Sequence, residues 1–340
     1  PGEGLSAVAV DANSPPIGDL DSIATLLERL RTLAQRRPDG ALMAYGFDDT
    51  TVSDQRYPTR AELDTVSDSR PIMVMHISGH LGVVNTAALK AMSITENVQD
   101  PPGGYYGRDS EGRLNGLLAE TAFNPVRANL LKLSAMDGYR VMRRASRLYL
   151  SRGITFAQNG LADTTTIKAL VPALRFGLIP LRLSVWPDAA AEQARQDGQW
   201  TLPEGERVHL GSVKLVSDGS LQGYTGFLND PYFSVPEGHP PEYLGFPNQS
   251  PQQLSEQVVQ FHCAGRQTAI HANGDAAISM SLDAVAAARQ QCPDVTVQPV
   301  LIHAQMATGE QLTRMQALDV IPSFFNNHVY YWGDRHRDIF

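Results

Sequence analysis

Arg207-Val-His-Leu-Gly-Ser-Val-Lys-Leu-Val-Ser-Asp-Gly-Ser220 decides how the chain is read. Val208 to Val216 has the composition of a buried strand, and it carries Lys214 near its C-terminal end before a Ser-Asp-Gly turn. Burying a lysine is costly, so one placed between Val213 and Leu215 calls for a chemical reason. Two later apolar runs end on a histidine, Thr268-Ala-Ile-His271 and Val300-Leu-Ile-His303. In an α/β barrel, the C-terminal ends of the strands are where catalytic side chains converge.

Working outward, helical patterns alternate with these strands. From Gly153 onward, strands are predicted at Ile154–Ala157, Leu181–Trp186, Val208–Val216, Thr268–His271, Val297–His303 and Val320–Phe325. Helices are predicted over Asp163–Phe176, Ala189–Gln196, Ala276–Gln291 and Thr308–Leu318, with another capped by Ser250-Pro251 and ending at Gly265. Such β-α alternation implies parallel strands. His271 and His303 are separated by roughly 30 residues, about one βα unit. Between Lys214 and His271 an aperiodic Pro-, Gly- and Tyr-rich stretch, Gly219 to Gln249, adds a long loop of the kind that often serves function.

Residues 1–152 lack that rhythm. A helix capped by Asp21 or Ser22 places Ile23, Leu26, Leu27, Leu30 and Ala34 on one face. Strands follow at Ala41–Phe47 and Pro71–Ile77, then Ser78-Gly79-His80, a short helix near Thr86–Ala91, a hairpin around Asp109–Gly112, and a helix from about Asp137 to Arg152. The expected organisation is therefore an α+β subdomain over 1–152 and a barrel-like α/β domain over 153–340.

With 340 residues, 42% hydrophobic, a net charge of −8 and a mean hydropathy of −0.22, the chain has the composition of a globular protein with a large core. No apolar run approaches a membrane span, and no basic cluster with interleaved aromatics calls for nucleic acid. Cys263 and Cys292 have no CxxC partner, and each is expected to be a small buried hydrophobe rather than a zinc ligand or half of a disulfide. The opening Pro-Gly-Glu-Gly reads as cut from a longer protein. Cytoplasmic placement is the expectation, with the periplasm as the alternative.

Several stretches together resemble the metal-dependent amidohydrolase superfamily, in the branch known as amidohydrolase family 3, with its exoenzyme-regulatory-protein-like and N-substituted-formamide-deformylase-like members. They are Tyr57-Pro-Thr-Arg-Ala-Glu-Leu-Asp64, Ser78-Gly-His-Leu-Gly-Val-Val-Asn85, Lys214-Leu-Val-Ser-Asp-Gly-Ser220, His271-Ala-Asn-Gly-Asp275, Leu301-Ile-His-Ala-Gln305 and Asn327-His-Val-Tyr-Tyr-Trp-Gly-Asp-Arg-His336. The resemblance implies an α/β fold that is an incomplete (β/α)8 TIM-type barrel, strands two to seven, with the α+β insertion placed after a missing first strand. It also implies that Lys214 is a strand-four lysine, often carbamylated to bridge two divalent metals, and that His271 and His303 are the ligands on strands five and six.

A carbamate would turn a costly buried cation into an oxygen ligand, and imidazole suits zinc and similar ions. The resemblance also implies that the Gly-His step places His80 over the pocket, as a substrate contact. Asp218 shares strand parity with Lys214 and is read either as a substrate contact or as a plain turn residue. His328 is a third substrate-side candidate, and Asp275 is read as a helix N-cap before a ligand. His76, His209, His239 and His262 are assigned ordinary structural roles.

Two departures from the family pattern stand out. The sequence contains no His-x-His pair, and it ends at Phe340 before the late barrel aspartate of the superfamily would arrive. The expected activity is hydrolysis of amide-like C–N bonds, in N-acyl or N-formyl amines, by metal-activated hydroxide, with zinc as the expected ion. The chain alone is expected to be inactive and to hold metal weakly. The expected partner is a small amide-like molecule, with no nucleic acid and no membrane, and open strand edges predict a homo-oligomer. A non-catalytic binding or regulatory module with a degraded metal site is the alternative. A Schiff-base lyase using Lys214 would leave His271 and His303 without a role.

Overall fold

The computed structural model describes residues 2–202, 207–236 and 239–340. They form two units, Pro1–Ala145 with Pro236–His239, and Ser146–Val235 with Pro240–Phe340.

The first unit is built on a six-stranded mixed sheet. Helix α1 (Gly2–Leu5) precedes β1 (Val10–Asp11), and α2 (Ile23–Arg36) leads into β2 (Leu42–Phe47). After α3 (Arg60–Asp64), strand β3 (Ile72–His76) turns back through Ser78-Gly79 into β4 (Leu81–Val84). Then come α4 (Thr86–Ala91), the hairpin of β5 (Gly104–Arg108) and β6 (Leu114–Glu120), α5 (Phe123–Leu130), and α6 (Ala135–Ser151), which runs past the unit boundary. The strand order is β1-β2-β3-β4-β6-β5, parallel from β1 to β3 and antiparallel beyond.

Helix α2 starts where Ser22 Oγ accepts the Thr25 N–H at 3.3 Å, so Ser22 is the cap. All six residues of β2 are buried, as expected of a parallel strand covered on both faces. Leu42 and Ala44 share a core with Leu26 and Leu30 of α2. Met43 and Tyr45 pack on the other face with Ala88 of α4 and Phe123 of α5.

The second unit holds two parallel sheets. Strand β7 (Phe156–Ala162), α7 (Thr164–Arg175), β8 (Arg182–Pro187), α8 (Ala189–Gln196) and β9 (Val208–Leu210) form the first segment. Then follow β10 (Val213–Val216), α9 (Pro251–Cys263), β11 (Thr268–Ala272), α10 (Asp275–Gln291), β12 (Val300–His303), α11 (Gly309–Ala317), β13 (Ile321–Phe324) and α12 (Asn327–Ile339). The sheets are β7-β8-β9 and β10-β11-β12-β13, and a single parallel bridge, Asp188 to Lys214, connects β8 to β10. Val213, Leu215, Ile270, Ala272 and Leu301 face Leu254, Val258 and Phe261 of α9 and the apolar side of α10. The architecture is α/β.

Three sequence expectations are corrected here. Val208–Val216 is two strands, because the chain changes partner at Gly211-Ser212. The Gly211 N–H is donated to Val185 O at 2.9 Å, beside β8, whereas the Val213 N–H goes to Gln267 O at 2.8 Å, beside β11. Glycine is needed at the switch, since a Cβ on Gly211 would lie 2.1 Å from Trp186 Cδ1. The second correction is that Cys263 and Cys292 form a disulfide, with Cα atoms 5.5 Å apart, between the C-terminal ends of α9 and α10. Their proximity comes from the packing of these two helices. Finally, Asp275 is the first residue of α10 rather than its cap, and it accepts hydrogen bonds from Asn229 N and Nδ2 at 3.0 and 2.7 Å.

Glu192 of α8 is fully buried between Arg195 and Arg266, at 2.8 and 2.9 Å. Burial pushes its carboxyl up, but the two guanidinium groups outweigh that and hold it below the ordinary value. Arg266 also donates to Gly211 O at 2.7 Å, which ties α8 to the strand switch. Glu192→Ala is expected to cost about 3 kcal/mol, because it strands a half-covered guanidinium. Urea unfolding measures this, and a loss under about 1 kcal/mol would show that solvent replaces the pair.

Candidate active site at the carboxyl ends of parallel strands

In the second unit, the C-terminal ends of β10, β11 and β12 carry Lys214, His271 and His303. Register pairs Lys214 with Ala269 and Val216 with His271, so Lys214 and His271 occupy the same face, opposite the helix-packed face of Leu215 and Ile270. His303 pairs with Ala272, and regular alternation would send it to the helix side. Its φ of +71° breaks the alternation at the strand end, and its ring lies 4.7 Å from that of His271 in an edge-to-face arrangement. Burial pushes the Lys214 ammonium down to about 8, with the Asp218 carboxylate opposing part of that shift.

Asp218 has no solvent exposure. Its Oδ1 accepts the Asn273 N–H at 2.9 Å, and its Oδ2 accepts those of Gly274 and Phe227 at 2.8 and 3.1 Å. This carboxylate thus holds the β11–α10 turn against the start of the 219–249 loop. Asn273 Nδ2 and Gly219 O each lie 3.0 Å from His271 Nε2, which sets the imidazole plane. The 219–249 loop contains no helix or strand among its described residues, yet it has a small core of Leu221, Leu228 and Tyr232. Tyr232 and Tyr243 donate their hydroxyls to Gly226 O and Tyr224 O.

Helix α12 was not anticipated from sequence. His328, Trp332 and His336 recur every fourth residue along it. His328 sits 5.3 Å from the His303 ring and 6.2 Å from that of His336. Burial pushes both His328 and His336 down to about 4, so they are neutral imidazoles at pH 7. Sequence spacing could have revealed this stripe, but its members are polar or aromatic and escape a search for aliphatic periodicity.

His80 belongs to the first unit, immediately before β4, with Nδ1 2.9 Å from Glu120 Oε1. Asp48 and Asp49, which no sequence signal singled out, and His76, expected to have an ordinary structural role, lie at the ends of the paired parallel strands β2 and β3. All three are buried, with candidate ligand atoms within 4.8 Å of one another, close enough in principle to hold a cation. His76 Nδ1 lies 2.8 Å from Ser78 Oγ and 3.1 Å from the Ser78 backbone N, and its Nε2 lies 3.6 Å from Asp49 Oδ1. Of the other histidines, His209 is exposed on β9 near Phe156, and His262 is buried near the end of α9. His239 stacks edge-on to Tyr105 at 5.2 Å.

The family model described as "Amidohydrolase family" matches residues 6–338, and the chain belongs to that family. Among curated proteins it is 27% identical over 343 residues to the N-substituted formamide deformylase of Arthrobacter pascens, covering 96% of this chain and 60% of that protein. It is 27% identical to the putative amidohydrolase YtcJ of Bacillus subtilis, covering 83% and 53%. It is 28% identical to the exoenzymes regulatory protein AepA of Pectobacterium carotovorum, covering 87% and 64%. The chain thus spans between half and two-thirds of the length of these relatives.

An uncharacterized metal-dependent hydrolase from Pyrococcus horikoshii superposes with a TM-score of 0.69 at 22% identity, covering 97% of this chain and 62% of that one. A second, from Pyrococcus furiosus, gives 0.65 at 23%, covering 99% and 64%. At these identities the likeness concerns the fold.

Proposed function

We propose that the chain carries part of the active site of a hydrolase that cleaves amide-like C–N bonds, in N-acyl or N-formyl amines, with a divalent cation held by Lys214, His271 and His303. The observation that carries this reading is a half-buried lysine, pushed down to about 8, on the same strand face as one of two imidazoles whose rings are 4.7 Å apart. The parallel strands β7 to β13 are read as an arc of a (β/α)8 barrel, in which strand ends face the site.

The donor chemistry fits such an ion. Neutral imidazole is a good ligand for zinc-like metals, and an amine uncharged near pH 8 can attack CO2, forming an N–C bond and releasing a proton to give a carbamate oxygen ligand. When bound, the cation would supply Lewis acidity and a water of lowered pKa. Asp218 and Asn273 orient His271, and the neutral ring of His328 lines the approach to His303. The substrate class is supported by the formamide deformylase named above. The Cys263–Cys292 disulfide favours an oxidising compartment such as the periplasm over the cytoplasm. No described helix is long and apolar enough to cross a membrane.

His271→Ala and Lys214→Ala, each made in the full-length protein, are expected to lower bound metal by at least one equivalent. Each is also expected to lower kcat/KM on a panel of N-formyl and N-acyl amines by about 100-fold or more. Elemental analysis and steady-state kinetics read the two effects. Unchanged metal content in both variants would overturn the assignment.

A further inference from the structure

We propose that Asn273 selects the substrate by accepting the N–H of its amide nitrogen at Oδ1, so that the site favours amides carrying such a hydrogen; this rests on the hydrolase reading above. Asn273 directly follows β11, two residues after His271, and is 3% exposed. Three of its polar groups are committed within the second unit. Its N–H is donated to Asp218 Oδ1 at 2.9 Å, its carbonyl accepts the Met306 N–H at 2.9 Å, and Nδ2 donates to Gly219 O at 2.7 Å. The fourth, Oδ1, is buried and has no hydrogen-bond partner among the described residues.

The two ends of this amide are not interchangeable. A backbone carbonyl only accepts, so Gly219 O must face the NH2 end, and turning the amide over would set two oxygens 2.7 Å apart. Oδ1 is therefore an acceptor that needs a donor, and a buried acceptor left unmet is costly. A second such atom stands beside it. Ser220, joined to Gly219 by its peptide bond, is 4% exposed; its N–H is donated to Thr225 Oγ1 at 2.9 Å and its carbonyl accepts the Thr225 N–H at 3.0 Å. Its Oγ has no partner among the described residues. Unmet polar atoms on both sides of the Asn273–Gly219 hydrogen bond fit a polar ligand better than a closed core.

The 219–249 loop packs on the turn that carries Asn273. A Cβ on Gly274 would come within 1.9 Å of Phe227 O, and the Ala277 N–H is donated to that oxygen at 3.3 Å. A ligand reaches Asn273 by displacing this part of the loop, whose return then keeps water from competing for Oδ1.

The test compares N-butylformamide with butyl formate, which has an ester oxygen in place of the N–H group and adds no bulk. In the full-length protein, the ratio of kcat/KM for the formamide to that for the formate is expected to fall about 10–100-fold in Asn273→Leu. Asn273→Asp keeps an acceptor at this position and loses the donor to Gly219 O. It is expected to slow both substrates and keep the ratio. A residue that only supported the turn would slow both substrates equally when replaced, so an unchanged ratio in Asn273→Leu would overturn the proposal. Asn273→Ala is read in the same way if the leucine variant fails to fold.

If wild-type protein cleaves neither compound, the hydrolase reading fails, and calorimetric affinities for the same two molecules decide the recognition. A preference for the formamide that Asn273→Leu abolishes would uphold it. Equal affinities in wild type, or a preference that survives in the variant, would overturn it.

Discussion

Asp218→Ala is expected to lower the stability of the second unit by about 3–5 kcal/mol. The carboxylate has no exposure and accepts three backbone N–H groups, from Phe227, Asn273 and Gly274. Hydrogen bonds to an ionised acceptor contribute about 1.5–3 kcal/mol each, and losing the acceptor leaves buried donors unmet. Some of that cost returns because a buried charge disappears with it.

Asp218→Asn discriminates further. Its amide presents one NH2 to a site lined by backbone N–H donors, so it should recover little of the loss. Removing the charge also takes away the one influence that holds Lys214 up, so its ammonium should fall further below about 8. Urea unfolding of the variants gives the energies, and a cost below about 1 kcal/mol for alanine would mean that the turn stands without this carboxylate.

Cutting the Cys263–Cys292 disulfide is expected to cost about 3.5 kcal/mol, from the chain entropy of an unfolded loop of this length. The bridge spans a separation of 29 residues and encloses β11, with His271, between the two helices it joins. Its loss should therefore loosen the site as well as the fold. A Cys263→Ala, Cys292→Ala double variant should match reduced wild type in urea midpoint. If oxidised and reduced protein unfold at the same denaturant concentration, the bridge contributes nothing.

What could be read from the chain alone had local causes. The α2 stripe of Ile23, Leu26 and Leu30, the cap-and-proline start of α9, and the alternation of β11, α10, β12 and α11 follow from side-chain period and turn chemistry. The candidate residues Lys214, His271 and His303 were visible because each sits at the end of an apolar run, where a polar side chain is conspicuous. The family was legible for the same reason, as motifs at strand ends.

Short elements without a sustained period were missed. Strand β4 has only four residues, and α12 hides its period among histidines and aromatics.

The rest depended on distance in space. Glu120 and His80 are 40 residues apart, and the backbone groups that meet Asp218 come from as far as 56 residues away. Neither partnership leaves a local signature. The strand switch at Gly211 required Trp186 to pack against it, and the disulfide required α9 and α10 to bring two cysteines together. The sequence by itself determined the longer periodic helices and strands, and that Lys214, His271 and His303 sit at strand ends, since those follow from neighbours within a turn or a pleat. Only the tertiary structure decided which carboxylate orients which imidazole, because a hydrogen bond forms where folded segments meet and not where the residues stand in the chain.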